Sequence, residues 1–252
     1  MSFKLPIPPY PVRSVWLRVH RRVNPVFFPT IHVNEFPKSG GTWLCRMLSD
    51  TLGYRFDDNV YRRLGPSITK SHYAGQIGPK TVIAIRDPRD VAVSYFHHVK
   101  AIFADDPFNS KSVTYYANNV FKEEASQREN LQLFTKSLQE APRFPAVTWG
   151  QFYERALEGS VMVVKYEDLR AETAKTLTEV LTKLDLDPSQ YPIDEVADSH
   201  NIEKILKKRG DDKKAHFIRK GKVGNWAEEL DPDTVALVEE TNREFMERFG
   251  YL

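Results

Sequence analysis

A single cysteine, Cys45, stands among 252 residues, so no intramolecular disulfide can form. It lies in an apolar helical pattern and reads as a small core residue; such cysteine usage fits a reducing, cytoplasmic location. No spaced cluster of Cys, His and carboxylates is present, so no metal is expected. An excess of one charge is also missing. The 36 Lys and Arg against 34 Asp and Glu leave a net charge of +2. That is too little for a nucleic-acid coat, so no nucleic-acid partner is expected and any anion site must be built locally. No uninterrupted apolar run reaches signal-peptide or membrane-span length, and no stable membrane insertion is expected. Repeats and low-complexity tracts are absent as well.

What remains is an ordinary globular composition, 41% hydrophobic and 12% aromatic. The length suits one large α/β domain able to bury a core without staples. We divide it into an N-terminal arm, residues 1–30, packed on a single domain over 31–252. The basic run Arg13–Arg22 within the arm reads as a docked helix or extended segment, with a membrane-surface role as the alternative. Strand-like and helix-like patterns then alternate, as in parallel βαβ construction with helices flanking a central sheet. Thr30–Phe36, Lys80–Ile85 and Val161–Lys165 read as strands, the last two being continuous apolar runs of the kind buried on both faces. Helices are predicted over Thr42–Leu52, Asp90–His98, 119–140, 150–158, 171–184 and 231–248. Asp87 and Pro88 offer a cap and a first helical residue, and Asp90 is read as a second capping group. Residues 206–224 lack apolar periodicity and read as a loop or lid.

Three segments can hold an anion. In Phe36-Pro-Lys-Ser-Gly-Gly-Thr-Trp43 a buried strand meets a helix, whose first N–H groups lack intrahelical partners and sit at the positive end of the dipole. Gly40 and Gly41 allow close backbone approach, Thr42 adds a hydroxyl and Lys38 a full charge. The lysine precedes the glycines, so this is not the Walker A pattern of P-loop kinases and NTPases. In Arg86-Asp-Pro-Arg-Asp-Val-Ala-Val-Ser94, Arg86 ends a strand, where open α/β sheets present ligand sites. Ser94 follows two helical turns later, within reach of the same phosphate. Taken alone, Arg86 suits an ion pair as well as a ligand contact. Phe217–Trp226 carries three cations and two glycines, which suits a solvated face or a loop closing on phosphate.

Together and in this order, the three segments resemble those of the cytosolic-type sulfotransferases that use 3'-phosphoadenosine-5'-phosphosulfate (PAPS). The resemblance runs from Phe36 to Trp226. It implies the P-loop-containing, sulfotransferase-like α/β fold and transfer of a sulfuryl group from PAPS to an acceptor hydroxyl, with release of 3',5'-ADP (PAP). Lys38, Ser39, Gly40, Gly41 and Thr42 would form the loop for the 5'-phosphosulfate, with Lys38 on the leaving group. Trp43 would stack on adenine and Tyr166 lie near it. Arg86 and Ser94 would bind the 3'-phosphate, with Arg219, Lys220 and Gly221 closing over it. Lys70-Ser-His72 resembles the family's Lys-Thr-His element, which makes His72 the general base and Lys70 its helper beside the sulfuryl group. An imidazole suits that task, because its reference pKa of about 6.5 lets it take a proton near neutrality.

The chain also departs from the family. Gly41 stands where animal cytosolic enzymes usually carry threonine, and Ser199–Ile202 matches the family's adenine contacts poorly. Leu230 occupies a lysine position of the dimerisation segment, so a monomer or weak homodimer is expected. A phenol or hydrophobic alcohol is the expected acceptor, given the aromatics Tyr73, Phe96, Phe103, Phe108, Tyr115 and Tyr116 near the motifs. The same residues also suit a core. A carbohydrate sulfotransferase with a carboxylate base, for which Glu35 is the residue to test, and a catalytically silent PAPS or PAP sensor are the alternatives.

Overall fold

The computed structural model describes residues 19–20, 23–56, 64–75, 77, 80–105, 111–158, 162–209 and 221–252. Five strands lie among them: β1 (Thr30–Glu35), β2 (Arg55–Phe56), β3 (Ser67–Ser71), β4 (Thr81–Ile85) and β5 (Met162–Lys165). They form one parallel sheet in the order β2-β3-β1-β4-β5. The order reverses at β1, which neighbours both β3 and β4. In such sheets the crevice outside the carboxyl ends at this switch point is where ligands bind. The register aligns those ends. Asn34 lies opposite Ser71, Glu35 opposite Ala84, and Ile85 opposite Lys165.

After β1 the described α-helices, in chain order, are α1 (Gly41–Leu52), α2 (Pro88–Asp105), α3 (Lys111–Asn119), α4 (Gln127–Glu140), α5 (Trp149–Ala156), α6 (Tyr166–Ala171), α7 (Thr173–Lys183), α8 (Ile193–Ser199), α9 (Ile202–Arg209), α10 (Trp226–Glu229) and α11 (Pro232–Arg248). A parallel strand is buried on both faces, and its period of two divides the core. Val82 and Ala84 of β4 join a cluster with Leu44, Leu48, Leu177 and Val180 of α1 and α7. Ile83 and Ile85 point the other way, onto Trp149, Phe152, Tyr153, Phe245 and Met246 of α5 and α11. A satellite core of Phe96, Tyr116, Leu131 and Phe134 binds α2, α3 and α4 together. Replacing fully buried Phe152 by alanine would cost about 3–5 kcal/mol.

Several boundaries differ from the pattern reading. The helix expected over 119–140 begins only at Gln127, because Ser126 and Glu129 form a reciprocal capping box that starts α4 there, while Asn119 is the last residue of α3. A second box, Thr148 with Gln151, starts α5. The stretch expected to be loop from 206 begins inside α9, which runs to Arg209. Asp87 does cap α2: its Oδ1 accepts from Arg89 N at 2.8 Å, with Pro88 as the first helical residue. Asp90 does not cap; its carboxylate accepts the N–H groups of Gly224 and Trp226 at 2.8 and 3.1 Å. It ties the C-terminal loop to α2. Among the described residues no helix is long and apolar enough to cross a membrane.

Candidate active site

Four strand ends deliver the sequence-predicted residues to one edge of the sheet. From β1 the chain turns through Phe36–Gly40 into α1. Lys38 and Gly40 both adopt positive φ, 75° and 94°, and the left-handed turn aims the N-terminus of α1 at the crevice. Gly40 suits this conformation, and it also has no room for a side chain, since a Cβ would lie 2.6 Å from the Tyr166 ring. Its carbonyl starts the helix by accepting from Trp43 N and Leu44 N at 3.0 and 3.1 Å. The loop is bolted from below by Tyr153 of α5. That hydroxyl donates to Ala84 O at 2.8 Å, meets Ser39 Oγ at 3.2 Å and accepts from Phe36 N at 3.4 Å. Burial pushes the Tyr153 phenol pKa well up and keeps it neutral, outweighing the lowering by its bonds with Ser39 and Phe36.

Lys38 sits where cations crowd. Burial, and then repulsion from Lys70 and Arg86, outweigh the attraction of Glu35 and draw its pKa down to about 8. Lys70, at the end of β3, donates to Thr42 Oγ1 at 2.6 Å, so the second predicted lysine is anchored to the first predicted loop. His72 Nδ1 lies 3.0 Å from the carbonyl oxygen of Glu35. A carbonyl only accepts, so Nδ1 donates to it, and in the neutral ring Nε2 is the nitrogen with the lone pair. The 71–73 segment is clamped by buried Asn34. Its Nδ2 donates to Tyr73 O at 2.7 Å, while its Oδ1 accepts from Tyr73 N and Ser71 Oγ at 3.0 and 2.7 Å. The ring of Phe144 meets His72 edge-on at 5.6 Å. Phe144 and Tyr73 are both exposed.

Arg86 leaves β4 almost buried, its guanidinium 4.3 Å above the Tyr166 ring and 3.6 Å from Asp90. One Nη2–H donates to Lys222 O at 3.1 Å, whereas Nε, also buried, has no hydrogen-bond partner among the described residues. An orphaned guanidinium N–H is costly unless an anion completes it, which fits a phosphate ligand. Ser94 is half-buried in α2. Tyr166 opens α6 directly after β5 and lies 5.9 Å from the ring of Trp43. Its phenol pKa is raised, chiefly by burial. The indole N–H of Trp43 donates to His200 O at 3.1 Å, which brings the poorly matching 199–202 segment beside the aromatic pair. Gly221 has φ 61°, and a Cβ there would collide with Ile202. Its carbonyl accepts from Arg170 Nε at 3.2 Å. Arg219 and Lys220 lie outside the described residues, as does Phe108.

Of the remaining aromatics, Phe96, Tyr116, Trp149, Phe152 and Tyr153 are core. Two residues position the parts of the site: Asn34, which the motif reading did not assign, and Tyr153, whose segment Val147–Tyr153 resembles a family segment near the acceptor side but whose hydroxyl bonds the Phe36–Ser39 loop. Their signal was faint: an amide inside a buried strand, and a tyrosine in an aromatic helix. Among the described residues no group of three or more His, Cys, Asp or Glu is arranged to hold a metal ion.

Comparisons with known proteins show the family to which the chain belongs. The amine sulfotransferase of Oryctolagus cuniculus is 22% identical over 86% of this chain and 79% of its own length. The fold is shared with retinol dehydratase solved with androsterone and PAP, at 15% identity and TM-score 0.59 over 92% of this chain and 85% of that one. It is shared too with a mouse sulfotransferase complexed with PAP, at 18% identity and TM-score 0.55 over 87% and 85%. The sulfotransferase domain matches residues 60–250, well over half of the sequence, and the chain belongs to the family of PAPS-dependent, cytosolic-type sulfotransferases.

Proposed function

We propose that this protein moves a sulfuryl group from PAPS to the hydroxyl of a small phenol or hydrophobic alcohol, with His72 as general base and Lys38 on the leaving group. The observation that carries the reading is the meeting of Lys38, Lys70 and His72 at the carboxyl edge of the sheet. Lys70 is bonded to the loop that holds Lys38, and His72 to the strand that precedes it. His72 Nε2 takes the acceptor proton as the acceptor oxygen bonds to sulfur. The bond from sulfur to the 5'-phosphate oxygen breaks, and its electron pair leaves with PAP. Lys38 stabilises the charge that grows on that oxygen, and Lys70 the charge on the sulfuryl oxygens. Sulfuryl transfer resembles phosphoryl transfer, in which positioning and electrostatics supply most of the catalysis.

The other assignments follow the same edge. Gly40, Gly41, Thr42 and Ser39 would line the 5'-phosphosulfate, and Arg86 and Ser94 would take the 3'-phosphate. Arg219, Lys220 and Gly221 would close over it, and Trp43 with Tyr166 would receive adenine. Exposed Tyr73 and Phe144 beside His72 give the acceptor an apolar rim. Structures of retinol dehydratase with androsterone and with retinol are in line with such acceptors, while the name of the rabbit relative keeps amines in view. We also propose a cytoplasmic monomer or weak homodimer; most of the N-terminal arm expected over residues 1–30 lies outside the described residues.

A mass-spectrometric screen tests this. Protein and PAPS meet phenols, aliphatic alcohols, sterols, amines and oligosaccharides, scored for gain of SO3 and release of PAP. A phenol or alcohol product that disappears with His72→Ala is the expected result. A sugar product that survives the substitution would favour a carboxylate base. PAP binding without any transfer would favour a silent sensor.

A further inference from the structure

Glu35 is the last residue of β1 and 3% exposed, yet its carboxylate is absent from the catalytic scheme above. Strand parity explains where it points. Glu35 shares a face with Ile31 and Val33, the face covered by α1, so its side chain extends under the N-terminus of that helix. Oε2 accepts the backbone N–H of Gly41, the first residue of α1, at 2.5 Å. A Cβ on Gly41 would lie 2.6 Å from the carboxylate carbon and 2.9 Å from either oxygen. The carboxylate therefore fills the space that a side chain at position 41 would need, and glycine there is a condition of the contact. Unlike Gly40, Gly41 has no positive φ that calls for glycine; the constraint is the carboxylate.

The electrostatic setting is equally specific. The helix end and the cations Lys38, Lys70 and Arg86 form a field that favours an anion, and Glu35 is the anion already lodged in it. A 5'-phosphosulfate bound to the same loop would compete for the same N–H group and would face a carboxylate at close range.

We propose that Glu35 is a resident counter-anion of the donor loop, which the 5'-phosphosulfate must displace, so that donor and product affinity are set by competition with this side chain. The inference rests on the donor assignment of the preceding subsection. It makes Glu35 and Gly41 a matched pair that determines affinity for the 5' group alone. The hydrogen bond of Glu35 is to the 5' loop at Gly41, whereas Arg86, at the 3'-phosphate end, donates to Lys222 O and pairs with Asp90. It also gives the protein a means of expelling PAP, because the carboxylate returns to Gly41 as the product leaves.

Two substitutions separate this from a merely structural role. Glu35→Gln keeps an oxygen that can accept from Gly41 N–H and removes only the charge. Gly41→Ala keeps the charge and pushes the carboxylate off the helix end. Calorimetric titrations with PAP, 5'-AMP and 3'-AMP at about pH 6.5 keep Lys38 protonated in the wild type, its pKa being about 8. Glu35→Gln is expected to tighten PAP and 5'-AMP by about tenfold or more and to leave 3'-AMP unchanged. Gly41→Ala should move in the same direction. Loss of the Glu35 charge should also lower the pH above which PAP binding weakens, because Lys38 then faces Lys70 and Arg86 without its counter-charge. Unchanged or weakened 5'-AMP and PAP binding in Glu35→Gln, with the wild type binding PAP, overturns this inference and leaves the donor assignment standing. No PAP binding by the wild type or either variant overturns both.

Discussion

The proposed donor side and the proposed acceptor side of the site are made of different material. The residues we assign to the donor stand on strand ends and helix starts, with side chains that are buried or half-buried and bonded to one another. Lys70 is on Thr42, Arg86 over Tyr166, and Tyr153 under Ser39. The proposed acceptor side beyond His72 is a rim of exposed aromatic surface, Tyr73 and Phe144, tied to the fold through Asn34 and Tyr95. Rigid, low-dielectric surroundings suit the side that must stabilise developing charge. A rim with few fixed polar groups can change its preference without disturbing the chemistry. On the proposed assignment, one protein combines a fixed reagent site with an adaptable one.

The sharpest way to break the comparison is to remove the group at the boundary. His72→Ala should lower transfer by about 100-fold or more, while PAP binding changes little. A parallel loss of PAP affinity, read by calorimetry, would mean that His72 holds the donor loop through Glu35 rather than serving as the base. Next in size is Arg86→Ala. Loss of charge-assisted hydrogen bonds should weaken PAP by roughly 10- to 100-fold and leave 5'-AMP nearly unchanged. Equal weakening of both ligands would remove the 3'-phosphate from Arg86.

A pH titration gives a smaller but cleaner signal. Lys38 has a pKa lowered to about 8 in the free protein, and an adjacent anion must raise it. PAP binding should therefore take up protons above about pH 8, and affinity should fall as pH rises through that value. A flat profile in buffers of different ionisation enthalpy would put Lys38 outside contact with the 5'-phosphate. The stability sign is opposite: the cost of burying charged Lys38 is fully present below its folded pKa and is relieved as pH rises from there. Smallest of all, Tyr73→Ala or Phe144→Ala should shift the ranking of acceptors by a few fold with PAP affinity unaltered. A donor-side defect in either variant would dissolve the division between the two sides.

Much of the donor side was legible because its signals are local. Lys38-Ser-Gly-Gly-Thr combines a turn, a helix start and a charge within five residues, and Asp87-Pro88 announces α2 by its own chemistry. The α4 boundary at Ser126 was also written locally, as Ser-x-x-Glu, but a longer run of helix formers around it masked the break. What could not be read is non-local. Asp90 had an ordinary local role available as a cap; only the fold brings Gly224 and Trp226 to its carboxylate. The Glu35–Gly41 contact spans six residues, yet it exists only because strand parity turns Glu35 under α1. Asn34 was hidden for the same reason, since its partners, Ser71 and Tyr73, lie at and just beyond the end of β3. Acceptor identity is the least legible because single exposed aromatics carry no periodicity and no geometry in sequence.

The most direct test of the account is to measure single-turnover transfer and PAP affinity side by side for Lys38→Ala. A lysine that acts on the leaving group contributes mainly in the transition state. Transfer should fall by about 100-fold or more while the PAP Kd changes by less than about tenfold. Equal losses in rate and affinity would contradict it and reduce Lys38 to a ligand-binding charge.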